Sequence, residues 1–387
     1  MAFQDQFSYY GPTRLLMGRG SIRNLIELLS NTGSKKALIV TDKGLVDAGL
    51  VGRVSAFLDE ANVAHSIFSD VAPNPPIQNV IDCAAQYQKE GCDHLIAIGG
   101  GSSMDVAKTA GVLISNGGQI SDYFIGTGGP VPKRIPYLVC IATTYGTASE
   151  VTPFAVITDE NKYKAAVAGT NIIPDVGILD ADMAVALPRP IAAATGMDAL
   201  THAIESYVSL ASNIVSEGMA LHAIRLIAQN LRQAAYSDHN HEATQNMLVA
   251  SAMAGFAFSQ TRLGNVHAMS HPVSGHYGVP HGVANAILLT RVMDFNRYAC
   301  PAKFADIAVA MGEDIAGLGD VDAAMLAVEA VENLGGDVGI PSALSEVGVK
   351  AEGIAVMAED TMKSGNVAVN PRKTTIQDVI ALYEEAM

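Results

Sequence analysis

The stretch His94-Leu-Ile-Ala-Ile-Gly-Gly-Gly-Ser-Ser-Met-Asp-Val-Ala-Lys-Thr-Ala-Gly-Val-Leu113 decides how this chain folds. His94 to Ile98 is a short apolar run, as expected of a strand buried on both faces of a parallel sheet. Gly99-Gly-Gly-Ser102 follows it and leads into a helical segment from Met104 to Leu113. Glycines let a backbone approach a phosphate, and the helix behind them supplies unpaired N–H groups and the positive end of a dipole. The same run serves equally as a tight strand-to-helix turn. It is not G-x-G-x-x-G, so a standard Rossmann assignment is unsupported.

Outward from this unit the pattern repeats. Strands are expected at Arg14 to Met17, Lys36 to Thr41, Ala64 to Phe68, Tyr137 to Ala142 and Val176 to Leu179. Helices are expected at Gly20 to Leu29, Leu50 to Ala61 and Ile77 to Glu90. Strands alternating with helices imply an α/β domain with a mostly parallel sheet. After Leu187-Pro-Arg-Pro190 the patterns turn helical and rich in Ala, Met and Leu, at Met219 to Leu231, Met247 to Phe258, Lys303 to Met311 and Val321 to Leu334. The expected division is an α/β nucleotide-binding domain over 1–187 and an all-helical metal-binding domain over 188–387. With 387 residues, two domains are the prior expectation.

Composition narrows the function. Hydrophobic residues make up 49% and charged residues 16%, which leaves ample apolar surface for a core and argues against disorder. A formal charge of −15 disfavours nucleic acid as a partner, because phosphate contacts need a basic face. The N-terminus lacks a signal peptide's basic start and apolar core, and the most apolar later stretch, Met247 to Phe258, is too short to span a bilayer. Cys83, Cys92, Cys140 and Cys300 form no C-x-x-C pair and read as reduced thiols of a cytoplasmic protein.

Two other strand ends resemble ligand loops. Asp42 follows Lys36 to Thr41, where a carboxylate can bond ribose hydroxyls or simply cap a turn. Thr143-Thr-Tyr-Gly-Thr-Ala-Ser-Glu150 follows Tyr137 to Ala142 and offers hydroxyls and N–H groups; it reads equally as a Thr/Ser-rich loop with Ser149 as an N-cap. Pro73-Asn-Pro-Pro76 is a rigid turn.

Gly264 to Gly282 holds four of the ten histidines, His267, His271, His276 and His281. Helical spacing puts His267 and His271 on one face. Gly275, Gly278 and Pro280 are expected to break that helix and return the chain so that His281 opens the next one. Asp198 and His202, four apart, place a carboxylate and an imidazole on one helix face, as a local ion pair or as ligands. Taken with His267 and His281 they make one carboxylate and three imidazoles, a set that holds a divalent cation and leaves positions open for substrate. The affinity order favours zinc over iron for such ligands, so composition does not name the metal. His271 can relay protons or be a hydrogen-bonded core histidine, and His276 reads as a loop residue.

Together these motifs are similar to the iron-containing, group III alcohol dehydrogenases, in the branch with lactaldehyde:propanediol oxidoreductase and 1,3-propanediol dehydrogenase. The resemblance runs from about Leu15 to the C-terminus. Its carriers include Lys36-Ala-Leu-Ile-Val-Thr-Asp-Lys-Gly44, Pro73-Asn-Pro75, Gly99-Gly-Gly-Ser102 with Asp105 and Lys108, and Gly146-Thr-Ala-Ser-Glu-Val-Thr152. The strongest are Ala194-Thr-Gly-Met-Asp-Ala-Leu-Thr-His-Ala203, Val266-His-Ala-Met-Ser-His271 and Pro280-His-Gly-Val-Ala-Asn285; Asn370-Pro-Arg-Lys373 also fits.

The resemblance implies a dehydroquinate synthase-like fold with the active site between the two domains. It implies Asp198, His202, His267 and His281 as ligands of Fe2+, with Zn2+ or another divalent ion as alternatives. It implies Asp42, Asn74, Gly100, Gly101, Ser102, Thr143, Thr144 and Thr147 as NAD contacts, with Lys164 near the nicotinamide end. Phe154 and Phe258 match positions near the substrate, and His271 matches the histidine that relays the proton. Two positions depart from the family's usual pattern: Tyr145 stands in Ala142-Thr-Thr-Tyr-Gly-Thr147 where the family commonly has Ala, and Ser103 replaces a proline. The expected activity is NAD(H)- and metal-dependent interconversion of small primary alcohols or diols and aldehydes, by a homodimer or higher homo-oligomer. The alternatives are a metal- and NAD-dependent lyase of the dehydroquinate synthase type and a non-catalytic metal- or nucleotide-binding protein.

Overall fold

Strands β1 (Arg14–Met17), β2 (Lys36–Val40), β3 (Ala64–Phe68), β4 (His94–Gly99), β5 (Tyr137–Ala142) and β8 (Val176–Leu179) form one sheet in the order β1-β8-β5-β4-β2-β3. Every pairing in it is parallel. The computed structural model describes residues 7, 9–160, 164–237 and 239–387. Burial follows position in the sheet: all of β4 is buried, whereas the edge strands β1 and β3 keep exposed residues. Helices α1 (Leu25–Thr32), α2 (Lys43–Asp47), α3 (Leu50–Glu60), α4 (Ile77–Glu90) and α5 (Gly101–Asn116) provide connections between the strands. Leu25, Leu29, Val51, Val54 and Leu58 on α1 and α3 share a core with Ile39, Ile96, Val139 and Ile178 of the sheet.

The strand order marks where a ligand belongs. From β2 the chain crosses outward to β3, and from β4 it crosses the other way to β5, while β2 and β4 lie side by side. Open parallel sheets bind ligands at the carboxyl ends of strands around such a reversal. Asp42 and the Gly99–Ser102 turn stand at those two ends.

An antiparallel hairpin that the periodicity did not suggest, β6 (Phe154–Thr158) with β7 (Lys164–Ala168), follows β5. It is anchored by a buried lysine and an aspartate that meet through Ser149. Lys108, fully buried on α5, donates to Ser149 Oγ at 2.8 Å and to the carbonyls of Thr152 and Phe154 at 3.0 and 2.8 Å. Asp105, one turn earlier, accepts from Ser149 Oγ at 2.7 Å and from Val156 N–H at 2.9 Å. Ser149 therefore caps no helix; it bridges Lys108 and Asp105.

The second half is helical: α6 (Arg189–Val208), α7 (Ile214–Tyr236), α8 (His241–Thr261), α9 (Asn265–Tyr277), α10 (His281–Arg297), α11 (Pro301–Met311), α12 (Asp320–Val338), α13 (Ile354–Thr361) and α14 (Ile376–Glu385). Among the described residues no helix is long and apolar enough to cross a membrane. Pro188 and Pro190 start α6 rather than interrupt it, proline being tolerated in a first turn. The expected break at Gly275 does not occur. α9 runs through Pro272 and Gly275 to Tyr277 and ends at Gly278, because burial of Val266 to Ser270 and Pro272 to Ser274 holds it.

The chain divides into two compact units. One comprises Gly11–Thr144 and Ala148–Ala186; the other comprises Leu187–Met387 with Tyr145–Thr147 and, near the N-terminus, Phe7, Tyr9 and Tyr10. The carbonyl oxygen of Gly146 lies 3.2 Å from His202 Nδ1, which accounts for Tyr145–Thr147 belonging with the helices. A division at one point in the chain does not describe these two short pieces.

Candidate metal centre

α6 is buried almost all round, from Gly196 to Val208, so it forms the centre of the helical unit rather than a surface helix. A polar stripe runs along this otherwise apolar segment: Asp198, His202 and Glu205, 3%, 5% and 4% exposed. α9 brings His267, 1% exposed, and α10 begins with His281. Gly282 lets α10 start there, since a Cβ at that position would collide with the Ala194 carbonyl of α6.

Asp198, His267 and His281 each offer a donor atom within 4.8 Å of the others. Their common point is Asp198 Oδ1, with His267 Nε2 at 3.8 Å and His281 Nε2 at 3.9 Å. His202 Nε2 lies 3.9 Å from the same oxygen, and its Nδ1 faces the Gly146 carbonyl. An Nδ1–H donated there leaves Nε2 as a lone-pair donor facing the carboxylate. The His202 ring stacks between His267 and Phe258, centroids 4.5 Å away on each side. His271 completes the cluster, its ring stacked on His281 at 5.2 Å and edge-on to His267 at 6.2 Å. His276 lies apart, paired with Asp360 at 2.8 Å.

A single amide group faces the donor atoms. Asn285 Nδ2, one turn into α10, lies 2.6 Å from Asp198 Oδ1 and 3.1 Å from Nε2 of both His267 and His281. An electropositive amide thus faces three atoms that a cation would draw upon. One carboxylate with imidazoles suits Fe2+ or Zn2+, and the residues present fit such an ion.

Electrostatics separate two imidazoles that share one carboxylate. Burial lowers His202 to about 4 despite Asp198 beside it. The same burial acts on His267, but Glu205 and Asp198 on either side outweigh it and raise it to about 9. Burial pushes Asp198 up, yet His202, His281 and His267 together hold it well below the usual carboxylate range.

Glu205 and Asn285 are functional-site neighbours that the spacing argument did not select. Glu205 is three residues from His202 and seven from Asp198, on the same helical stripe, and that was the available signal. Asn285 is four residues from His281 on the same face.

In the α/β unit the nucleotide candidates gather at strand ends. α5 begins directly at Gly101, and its N-cap, Gly100, has no side chain to meet the first-turn N–H groups. A Cβ on Gly100 would meet Thr144 Oγ1 at 3.0 Å, which keeps this turn bare. Thr143 N–H donates to the Gly99 carbonyl at 3.1 Å, joining the two loops. Asp42 caps α2, accepting Leu45 N–H at 3.1 Å, the plainer of its two readings. Asn74 has φ 51° and its carbonyl accepts from Thr158 Oγ1 at 3.1 Å. Lys164 opens β7 opposite Thr158, and Phe154 opens β6. Thr147 and the buried Tyr145 belong with the helical unit.

Sequence and structure comparisons agree with this arrangement. Residues 12–181 match the iron-containing alcohol dehydrogenase family, and residues 192–387 match the C-terminal part of the Fe-containing alcohol dehydrogenase family. The chain is 43% identical to 1,3-propanediol dehydrogenase of Klebsiella pneumoniae, over 98% of each chain. It is 39% identical to NAD-dependent methanol dehydrogenase of Bacillus methanolicus, over 98% of this chain and 100% of that one. A crystal structure of 1,3-propanediol oxidoreductase superposes with a TM-score of 0.96 at 42% identity, covering 99% of this chain and 100% of that one. With both halves matched and relatives of this identity along nearly its whole length, the chain belongs to the iron-containing alcohol dehydrogenase family.

Proposed function

We propose that this enzyme interconverts small primary alcohols or diols and the corresponding aldehydes, with NAD(H) as redox partner and a divalent cation, Fe2+ in the first instance, as resident metal. The observation that carries the reading is the convergence of Asp198, His267 and His281 donor atoms on one point, with His202 Nε2 against the same carboxylate. In this reading the four residues are the metal ligands, residues 188–387 carry the metal and residues 1–187 carry the dinucleotide. When bound, the cation would supply Lewis acidity and the nicotinamide a hydride acceptor.

The chain's own residues have separate tasks. Gly100, Gly101 and Ser102 offer the pyrophosphate a bare turn and the N-terminus of α5. Asp42 and Asn74 serve the adenosine side, and Thr143, Thr144, Thr147 and Lys164 the nicotinamide side. Phe258, stacked on His202, gives the substrate an apolar surface that excludes water, and Phe154 of the α/β unit is a second substrate-contact candidate. His271, against the His267 and His281 rings, takes the proton released by the alcohol and passes it to solvent. Methanol and propanediol, named in the relatives, set the size of substrate to try first.

We place the enzyme in the cytoplasm as a homodimer or higher homo-oligomer. The free thiols of Cys83, Cys92, Cys140 and Cys300 suit a reducing compartment, and light scattering on the purified protein reads the assembly. The activity is tested by NADH absorbance with a panel of short alcohols, diols and aldehydes, alongside metal analysis. Metal-dependent turnover is expected. Elimination without net NADH change would indicate a lyase, and cofactor binding without turnover a sensor; either result overturns the proposal.

A further inference from the structure

Glu205 stands outside the ligand set, yet both oxygens of its carboxylate are committed to the segment that carries His267. Oε1 accepts the Val266 backbone N–H at 2.6 Å, and Oε2 faces His267 Nδ1 at 2.6 Å. Val266 lies in the first turn of α9, where amides lack intrahelical partners, and Gly264 at the N-cap has no side chain to serve them. The residue is 4% exposed, so neither bond competes with bulk water.

An ionised carboxylate only accepts hydrogen bonds. The proton between Glu205 and His267 therefore belongs to Nδ1, so Nε2, on the side of Asp198 and Asn285, is the nitrogen whose proton a cation would displace. Short N–H···O⁻ contacts of this kind are about twice as strong as neutral ones. One carboxylate thus fixes the backbone at the start of α9 and the ring that hangs from its next residue.

We infer that Glu205 is a positioning residue for the metal: it locks His267 in the Nδ1–H form and aims Nε2 at the cation. The inference rests on His267 being a ligand, as proposed above. Carboxylates behind metal-bound histidines are worth roughly 10–100-fold in metal affinity. Gln in place of Glu205 keeps the shape but has a single acceptor oxygen. Its NH2 must then face either the Val266 N–H or His267 Nδ1, which opposes donor to donor or forces the proton onto Nε2.

Asn370 supplies the contrast. Its Oδ1 accepts Asn265 N–H at 3.3 Å at the same helix end, and its other side-chain partners are Asn296 and the Arg372 carbonyl rather than the His267 ring. Removing it loosens the terminus of α9 and leaves the Glu205–His267 bond in place.

The test is Zn2+ affinity of the full-length protein, measured by competition with a chromophoric chelator, for the wild type, Glu205→Gln, Asn370→Ala and His267→Ala. Zinc binding is expected to be tight in the wild type and lost in His267→Ala; full affinity in that variant overturns the ligand reading itself. Glu205→Gln is expected to bind about 10–100-fold more weakly, with Asn370→Ala close to wild type. Unchanged affinity in Glu205→Gln, or an equal loss in Asn370→Ala, overturns the positioning role while leaving His267 a ligand. A measurement on the wild type alone guards against poor folding of the Gln variant. In the Zn2+-loaded, 15N-histidine-labelled protein, His267 Nδ1–H is expected as a far-downfield, slowly exchanging proton resonance, and its absence overturns the inference.

Discussion

The two units assemble their candidate sites by opposite means. In the helical unit, side chains from three helices converge: Asp198, His202 and Glu205 from α6, His267 and His271 from α9, His281 and Asn285 from α10. In the α/β unit the offer is mainly backbone, a bare glycine turn and helix N-terminus beside the threonines that end β5. A site made of side chains depends on a few irreplaceable atoms held by burial. A site made of backbone depends on what is missing, the Cβ that Gly100 lacks. Damage should therefore be sharp and chemical in one unit, graded and geometric in the other.

The largest expected effect is on the helical side. His267→Ala should lose its metal and drop kcat/KM by about a thousandfold or more, the several kcal/mol that Lewis acidity supplies. NADH binding, followed by fluorescence, should survive. Loss of both together would erase the distinction between the units.

Next comes the buried Lys108–Ser149–Asp105 network behind the glycine turn and the hairpin. Lys108→Met leaves Ser149 and the carbonyls of Thr152 and Phe154 without their buried donor, so urea unfolding should show a loss of about 3–5 kcal/mol, at roughly 1–3 per stranded group. Metal content of the folded fraction should be unchanged. An unaffected midpoint would mean that this network does not anchor the loop.

Glu150 gives a pH-dependent effect. Burial raises its carboxyl from the ordinary 4.5 to about 7, partly offset by its own backbone amide and Lys108. The folded state then holds the proton more tightly than the unfolded chain. Stability is fully present below about pH 4.5 and is lost as pH rises through about 7. Relative to wild type, Glu150→Gln should gain stability across that interval, up to on the order of 3 kcal/mol above pH 7. Thermal melts from pH 4 to pH 8 check it, and parallel curves for the two proteins would contradict it.

The smallest effect sharpens the backbone side. In Gly100→Ala the new methyl meets Thr144 Oγ1 at 3.0 Å, and the hydroxyl has some room to yield. KM for NAD should rise about tenfold, near 1.4 kcal/mol, with metal content intact. A change in metal content instead would place the glycine turn in the wrong site.

The same difference explains what was legible in the sequence. Apolar runs gave the six-stranded parallel sheet, because strands buried on both faces have no polar alternation to confuse them. Spacing of four brought out Asp198 with His202, and the histidine-rich segment brought out His267 and His281. Glu205 was overlooked because a third polar residue on a stripe reads as one more helix-surface charge until burial is known. Asn285 was overlooked because an amide in an apolar helix carries no ligand spacing. Gly275 and Pro272 suggested a break that tertiary burial overrides. The hairpin β6–β7 was hidden because Phe154–Thr158 is a short strand beside a Thr-rich loop, and its anchoring by Lys108 and Asp105 exists only in three dimensions. Asp42 shows the converse, a residue with two readings whose observed hydrogen bond is the cap.

The most direct test is anomalous diffraction at the iron edge from crystals of the protein loaded anaerobically with Fe2+. The account predicts one strong peak per chain within bonding distance of Asp198 Oδ1 and Nε2 of His202, His267 and His281. A peak bound to other side chains, or iron-loaded crystals with no peak at this point, would contradict it.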